Sequence, residues 1–361
     1  MPLDHYANLG NSGLRVSPFC LGAMTFGEDW GWGASEADSF AVLDRYLDLG
    51  GNFIDTANFY TKGHSEKIIG DFFAASRGKR QKAVIATKFF SSLYTGDPNG
   101  GGASRKSITA ALENSLRRLR TEYVDLYWLH CWDRFTPIEE TMRCLDDLVH
   151  AGKVRYIGFS DTPAWKTAQA QMIATFRGWT PLCALQLEYS LLERTVEGEL
   201  LPMARELGLG VTPWSPLRSG VLSGKYTRET RGSDSPGRGA WVTSSLSDKA
   251  YDIIDILKKI AAETGSEPAR VALAWLQAQP GVTSTIIGVR SLAQLEDNLG
   301  GLDLELSDEH MDILDTASRP SLNFPAEFVD SVGPFGYGGT TINGETFPVN
   351  PLAPKCDDER F

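Results

Sequence analysis

The chain has 361 residues, 42% of them hydrophobic, with 35 Lys and Arg against 46 Asp and Glu and a formal net charge of −11. This is enough apolar material for a large buried core, and the acidic balance argues against nucleic acid or anionic membranes as partners. No apolar run reaches the roughly 20 residues needed to span a bilayer, the first ten residues carry no signal-like apolar stretch, and the five cysteines show neither pairing nor metal-site spacing, so a cytoplasmic protein without metal is expected.

In chain order, Tyr6–Val16 with its turn Asn11-Ser12-Gly13 predicts a small hairpin. Eight short apolar runs follow: Phe19–Met24, Asn52–Ala57, Ala83–Lys88, Val124–His130, Val154–Ser160, Cys183–Tyr189, Gly210–Pro216 and Val282–Gly288. Their length and their Val, Ile, Leu and aromatic content suit parallel strands buried on both faces. Between them lie helical patterns. Ser35–Leu49 stops at Gly50-Gly51, Ser104–Leu119 carries an apolar face, and Pro137–Ala151 has Pro inside its start and Gly152 beyond its end. Glu199–Leu207 and Pro268–Ala278 are two more. Strand and helix alternating through eight units predict an α/β fold, a (β/α)8 TIM barrel, and no GxGxxG follows the first strand to favour a dinucleotide-binding open sheet. The expected organisation is one barrel domain over 1–361. Residues 1–18 form a hairpin cap, 219–262 an insertion after strand seven (the loop Arg231–Arg238, then a helix Leu246–Ala262), and 320–361 a tail near the substrate pocket.

In such a barrel, chemistry sits where the strands end. Strand two ends in Asp55 with Tyr60 in the next loop, strand three in Lys88, and strand four in His130. A buried Lys needs a counter-ion, and Asp55 on the adjacent strand supplies one. Alone, this pair would read as a rim ion pair; Tyr60 and His130 in register with it point to carbonyl chemistry. A Lys88 charge beside Tyr60 should lower the phenol below its ordinary value of about 10, so that Tyr60 gives a proton to a carbonyl oxygen while His130 hydrogen-bonds the same oxygen. Trp30, Trp32, Phe90, Trp132, Trp241 and Phe324 fall near strand ends and loops. They would line a pocket for a bulky or aromatic carbonyl compound.

Asn52-Phe53-Ile54-Asp55-Thr56-Ala57 with Tyr60, Gly63-His64-Ser65-Glu66, Ala86-Thr87-Lys88 and Asp125-Leu126-Tyr127 leading to His130 occur in order. They are followed by Ile157-Gly158-Phe159-Ser160, Gln186-Leu187-Glu188-Tyr189, Trp214-Ser215-Pro216-Leu217 through Gly224-Lys225, and Gly288 through Asn298. Over roughly residues 6 to 315 this ordered set resembles the aldo-keto reductase family, in a branch similar to bacterial aryl-alcohol dehydrogenase-like reductases and potassium-channel β subunits.

The resemblance implies a catalytic tetrad of Asp55, Tyr60, Lys88 and His130, reversible carbonyl reduction, and NADP(H) bound across the barrel mouth. Ser160, Asp161 and Gln186 would meet the nicotinamide carboxamide, and Trp214 would stack on the ring. Ser215, Leu217, Ser219 and Gly220 would line the pyrophosphate, with Lys225 nearby. Gly288, Arg290, Gln294 and Asn298 fall where the family grips the adenosine and its 2′-phosphate. Two positions depart from the family's pattern. Asp161 stands where Asn is usual, and a carboxylate cannot donate to the carboxamide oxygen. Gly288 stands where some members have Lys, which leaves Arg290 to carry the 2′-phosphate. The channel β subunits also imply an alternative: a cofactor-sensing subunit that reports redox state to a partner protein. The sequence names neither the substrate nor the oligomeric state.

Overall fold

A computed structural model describes residues 1–76, 78–228 and 239–360, the side chains of 239–241 and 330 excepted. Its centre is one sheet of eight parallel strands. The hairpin comes first, with β1 (Ala7–Asn8) antiparallel to β2 (Arg15–Val16). The eight sheet strands are β3 (Phe19–Gly22), β4 (Phe53–Asp55), β5 (Val84–Phe89), β6 (Val124–Leu129), β7 (Val154–Ser160), β8 (Leu182–Glu188), β9 (Gly210–Trp214) and β10 (Thr285–Gly288). β10 pairs with β3, bringing the last strand beside the first. A bridge from Val211 to Val282 and the 2.8 Å bond from Thr283 N to Val211 O join β9 to the approach of β10. The predicted (β/α)8 barrel is therefore the fold.

The helices are α1 (Glu36–Asp48), α2 (His64–Ala75), α3 (Arg105–Leu119), α4 (Ile138–His150), α5 (Ala164–Arg177), α6 (Leu200–Glu206), α7 (Gly239–Ser245), α8 (Asp248–Thr264), α9 (Pro268–Gln277), α10 (Leu292–Leu299) and α11 (Asp308–Ser318). Ser35 and Ser104 cap α1 and α3 as their sequences suggest, each side chain accepting from the backbone N–H three residues on. The insertion helix is α8, shifted by two residues from the predicted Leu246–Ala262 because Ser247 is its cap. The loop Arg231–Arg238 lies outside the described residues.

Two apolar layers hold the sheet. Outside, side chains such as Leu21, Ile54, Ile85, Tyr127, Ile157 and Leu185 pack against the helices. Inside, Cys20, Phe53, Ala86, Leu126, Trp128, Ala184 and Ile286 fill the barrel, and Leu9 and Val16 from the hairpin join them. Gly10 permits that closure: its φ is +60°, and a Cβ there would fall 2.3 Å from Cys183 O. The tail begins against the loop after β8, where Leu322 and Ala326 meet Gly198. Beyond it, short helices at Ala326–Ser331 and Gly333–Tyr337 and a two-strand pairing of Thr341–Ile342 with Glu345–Thr346 replace the aperiodic stretch the sequence suggested.

Candidate active site

Asp55 is the last residue of β4, Lys88 lies one residue from the end of β5, and His130 follows β6 directly. Strand registry puts them side by side: Asp55 pairs with Ala86, and Lys88 with Trp128. Tyr60 comes from the turn Tyr60–Gly63, in which Thr61, Lys62 and Gly63 all have positive φ. The four side chains converge. Lys88 Nζ donates to Asp55 Oδ2 in a short contact, to Thr56 O at 2.9 Å and to Tyr60 Oη at 3.1 Å. The Tyr60 and His130 rings meet edge to face, 5.8 Å apart.

Burial sets the charges here. Lys88 is fully buried; desolvation opposes its charge, but Asp55 and Tyr60 outweigh that and hold its pKa above the ordinary lysine value. Burial together with the Lys88 charge pushes His130 down to about 3, so the imidazole is neutral. Tyr60 corrects the sequence expectation. Its pKa is raised, not lowered: burial outweighs the attraction of Lys88, and the nearby Asp55 adds to the rise. The field that reaches Tyr60 is that of an ion pair, not of a lone cation.

The residues expected around a nicotinamide also gather. Ser160 closes β7 opposite Gln186 on β8, and Gln186 Nε2 donates to Asp55 Oδ1 at 3.1 Å. Ser160 Oγ and His130 Nδ1 are buried with no hydrogen-bond partner among the described residues. Asp161, though exposed, accepts from Trp214 Nε1 at 3.1 Å, and partial desolvation by its neighbours raises its carboxyl to about 6. After β9, Ser215, Arg218, Ser219 and Gly220 all take positive φ. Lys225 Nζ lies 3.1 Å from where a Gly220 side chain would begin, with Leu217 at the head of the turn. Gly288 faces open space. Arg290 is exposed and pairs with no carboxylate among the described residues, while Gln294 Oε1 accepts from its backbone N–H and Asn298 is buried.

Of the predicted pocket aromatics, Trp30 stacks on Trp32 at 5.4 Å and on Phe59 at 5.6 Å, and Phe59 reaches Tyr60 and His130. Trp132 lies under the Lys166 ammonium, and its backbone N–H donates to Asp161 O. Phe90 is half-buried against the outer core. Phe324 is 82% exposed and stacks on Phe328 in the tail. Trp241 sits in α7 with its side chain outside the described residues.

Sequence reasoning missed Phe59, whose only signal is its place before Tyr60. It also missed the support beneath the Tyr60 turn. Fully buried Glu66 accepts from Thr87 and, at 2.6 Å, from Arg118 Nε, and Arg118 packs under Gly63. Arg218, paired with Glu188 at the end of β8, was also missed.

Residues 18–319 match the Aldo/keto reductase family. The chain belongs to that family. Among similar proteins, an uncharacterized oxidoreductase, YrpG, of Bacillus subtilis is 40% identical over 86% of this chain and 94% of its own. A norsolorinic acid reductase of Emericella nidulans is 37% identical over 88% and 82%. An NADP(+) aryl-alcohol dehydrogenase of Phanerodontia chrysosporium is 36% identical over 87% and 85%. This aldo/keto reductase is accordingly an oxidoreductase of the carbonyl-reducing kind, and no helix among its described residues is long and apolar enough to cross a membrane.

Proposed function

We propose that this aldo/keto reductase reduces aldehydes or ketones to alcohols with NADPH, reversibly, with Tyr60 as the general acid. The observation that carries the reading is the single buried ammonium of Lys88 shared between Asp55 and Tyr60, beside a neutral His130. When bound, the dihydronicotinamide supplies the hydride. The residues present fit such a group: buried Ser160 Oγ at the end of β7, without a partner among the described residues, the free edge at Gly288, and the exposed Arg290 guanidinium beyond it, which pairs with no carboxylate among the described residues.

Tyr60 is held protonated by burial, the form an acid needs at neutral pH. His130, neutral and fixed beside it, donates a hydrogen bond to the carbonyl oxygen and turns that oxygen toward Tyr60 Oη. As negative charge builds on the substrate oxygen, Tyr60 passes it a proton, and Lys88 at 3.1 Å stabilises the phenolate left behind. Asp55 keeps Lys88 charged in a place where burial alone would not. Gln186 Oε1, Ser160 and Trp214 would orient the nicotinamide, Ser215, Leu217, Ser219, Gly220 and Lys225 would hold the pyrophosphate, and Arg290 with Gln294 and Asn298 would select the 2′-phosphate.

The row Trp32, Trp30 and Phe59, ending on Tyr60 and His130, favours a bulky or aromatic carbonyl compound. The names of the aryl-alcohol dehydrogenase and norsolorinic acid reductase relatives agree with that class. Trp132, Phe90 and the tail from residue 320 would add the remaining walls. Five free cysteines fit a cytoplasmic setting. Repeated turnover of NADPH with a panel of benzaldehydes tests the reading. A single oxidation event with tight retention of the product cofactor would instead favour a redox-sensing subunit.

A further inference from the structure

Asp161 departs from the usual Asn, and the structure gives the departure a partner. Trp214 is the last residue of β9, and its indole N–H, the only polar group on that side chain, points at Asp161 Oδ1 from 3.1 Å. Asp161 is held to receive it. Its φ of +42° lies in the left-handed region that Asn and Asp tolerate. Its N–H donates to Gln186 O at 3.3 Å, and its carbonyl accepts from Trp132 N at 3.4 Å. No Lys, Arg or His forms an ion pair with it among the described residues, so this carboxylate, exposed at its rim, relies on a neutral donor.

We propose that Asp161 is a positioning residue that locks the indole of Trp214 at the barrel mouth, and that this lock sets how tightly the cofactor is held and makes the grip weaken in acid. The inference rests on the reading of Trp214 as the cofactor-facing ring. A permanent acceptor suits an indole, which can only donate. An Asn amide would do the same only with its oxygen turned to the ring and its NH2 turned away. A carboxylate also makes the bond charge-assisted, roughly twice as strong as a neutral one.

The charged and titratable groups around Asp161 leave it as the one that changes near pH 6. Partial desolvation by the surrounding side chains raises its carboxyl to about 6, against the pull of the Trp214 donor and of the Lys88 charge. From β5, Lys88 is held above the lysine range. Tyr60, from the turn after β4, and Cys131, following β6, are both raised by burial. His130 stays neutral far below pH 6. On β8, Glu188, the register neighbour of Trp214, is neutralised by Arg218. Protonating Asp161 therefore converts a charge-assisted bond into a neutral one and loosens the ring.

Two measurements test this on the full chain. The first needs no cofactor. In the indole 1H–15N spectrum of selectively labelled protein, which has nine tryptophans, Trp214→Phe assigns the Trp214 resonance. That signal should move with a midpoint near pH 6 in the wild type and stay fixed in Asp161→Asn. The second is the dissociation constant of NADPH by fluorescence or calorimetry between pH 5 and 8.5. The wild type should weaken about tenfold toward pH 5, and Asp161→Ala should be about tenfold weaker at pH 7.5 with no pH transition. In a Trp214→Phe background, Asp161→Ala should add less than about twofold, because the bond is already gone. An indole signal that does not titrate, or an equal Asp161→Ala loss in both backgrounds, overturns the lock even if NADPH binds. A titrating indole in a protein that binds no nicotinamide cofactor keeps the lock, removes its effect on cofactor grip, and fails the functional reading instead.

Discussion

Replacing Lys88 by Met tests the centre of the site and has two separable consequences. The Lys88 side chain is 0% exposed and that of Asp55 3%. Removing the ammonium strands the carboxylate with the Gln186 amide as its remaining side-chain donor. Breaking a buried pair by deleting one partner costs about 3–5 kcal/mol. The chemical step should fall at least about 100-fold, because the Tyr60 phenolate loses the cation 3.1 Å away. The stability cost comes from the stranded carboxylate, so removing that charge as well should relieve it. Denaturant midpoints at pH 5 and pH 8 for wild type, Lys88→Met and the double variant Asp55→Asn/Lys88→Met measure this. The double variant should regain most of the stability and none of the activity. A single variant with a wild-type midpoint at pH 8 and an unchanged pH–rate profile would refute both the electrostatic and the chemical argument.

Tyr60→Phe should slow the single-turnover step at least about 100-fold while NADPH titrations stay unchanged. Arg290→Ala should weaken NADPH about 10- to 150-fold and leave NADH nearly unaltered, because Gly288 offers no side chain to share the phosphate; equal losses for both cofactors would mean that Arg290 only holds its loop. His130 has a folded pKa of about 3 against an ordinary 6.5. Between those values the unfolded chain binds the extra proton, so its contribution to stability falls as pH drops below about 6.5, by at most roughly 1.4 kcal/mol per pH unit. His130→Gln should flatten that slope in thermal or denaturant melts. Gly63→Ala should destabilise by about 1–3 kcal/mol, since φ is +92° and a Cβ would sit 3.0 Å from Arg118 Cδ; calorimetry showing no loss would mean the turn adjusts freely.

The barrel was legible because its strands are buried on both faces and so read as short unbroken apolar runs, such as Val84–Phe89 and Val124–Leu129. α1 and α3, announced by a capping Ser, were equally plain. α2 and α5, which start after Gly63 and Pro163 with no side-chain cap, were missed, and so were α10 and α11 despite the caps Ser291 and Ser307. At the site, parallel registry turns strand order into adjacency, which is why Asp55, Lys88 and His130 could be grouped from sequence positions alone. The sign of the Tyr60 shift could not. It depends on how much water reaches the phenol and on how far Asp55 cancels Lys88, and neither is written in residue order. The Glu66–Thr87–Arg118 support and the Asp161–Trp214 bond were hidden for another reason: each joins side chains from different strand–helix units, and no periodicity connects them.

The hydrogen-bond count at Lys88 shows how one buried cation can organise the rest. An ammonium has three N–H groups, and Lys88 has three acceptors: Asp55 Oδ2, Thr56 O and Tyr60 Oη. Its capacity is used up, and its position is fixed from both β4 and the turn that follows. Tyr60 Oη, by accepting from Lys88, leaves its own proton to point elsewhere, and its ring edge meets His130. In the proposed chemistry that proton is the one delivered to substrate, and its direction follows from the Lys88 bond. The raised pKa of Tyr60 is consistent with this: an acid that must stay protonated until charge appears beside it is better served by burial than by an uncancelled cation. Asp55 thus acts twice, keeping Lys88 charged and keeping the field at Tyr60 weak enough that the proton stays in place until the reaction takes it.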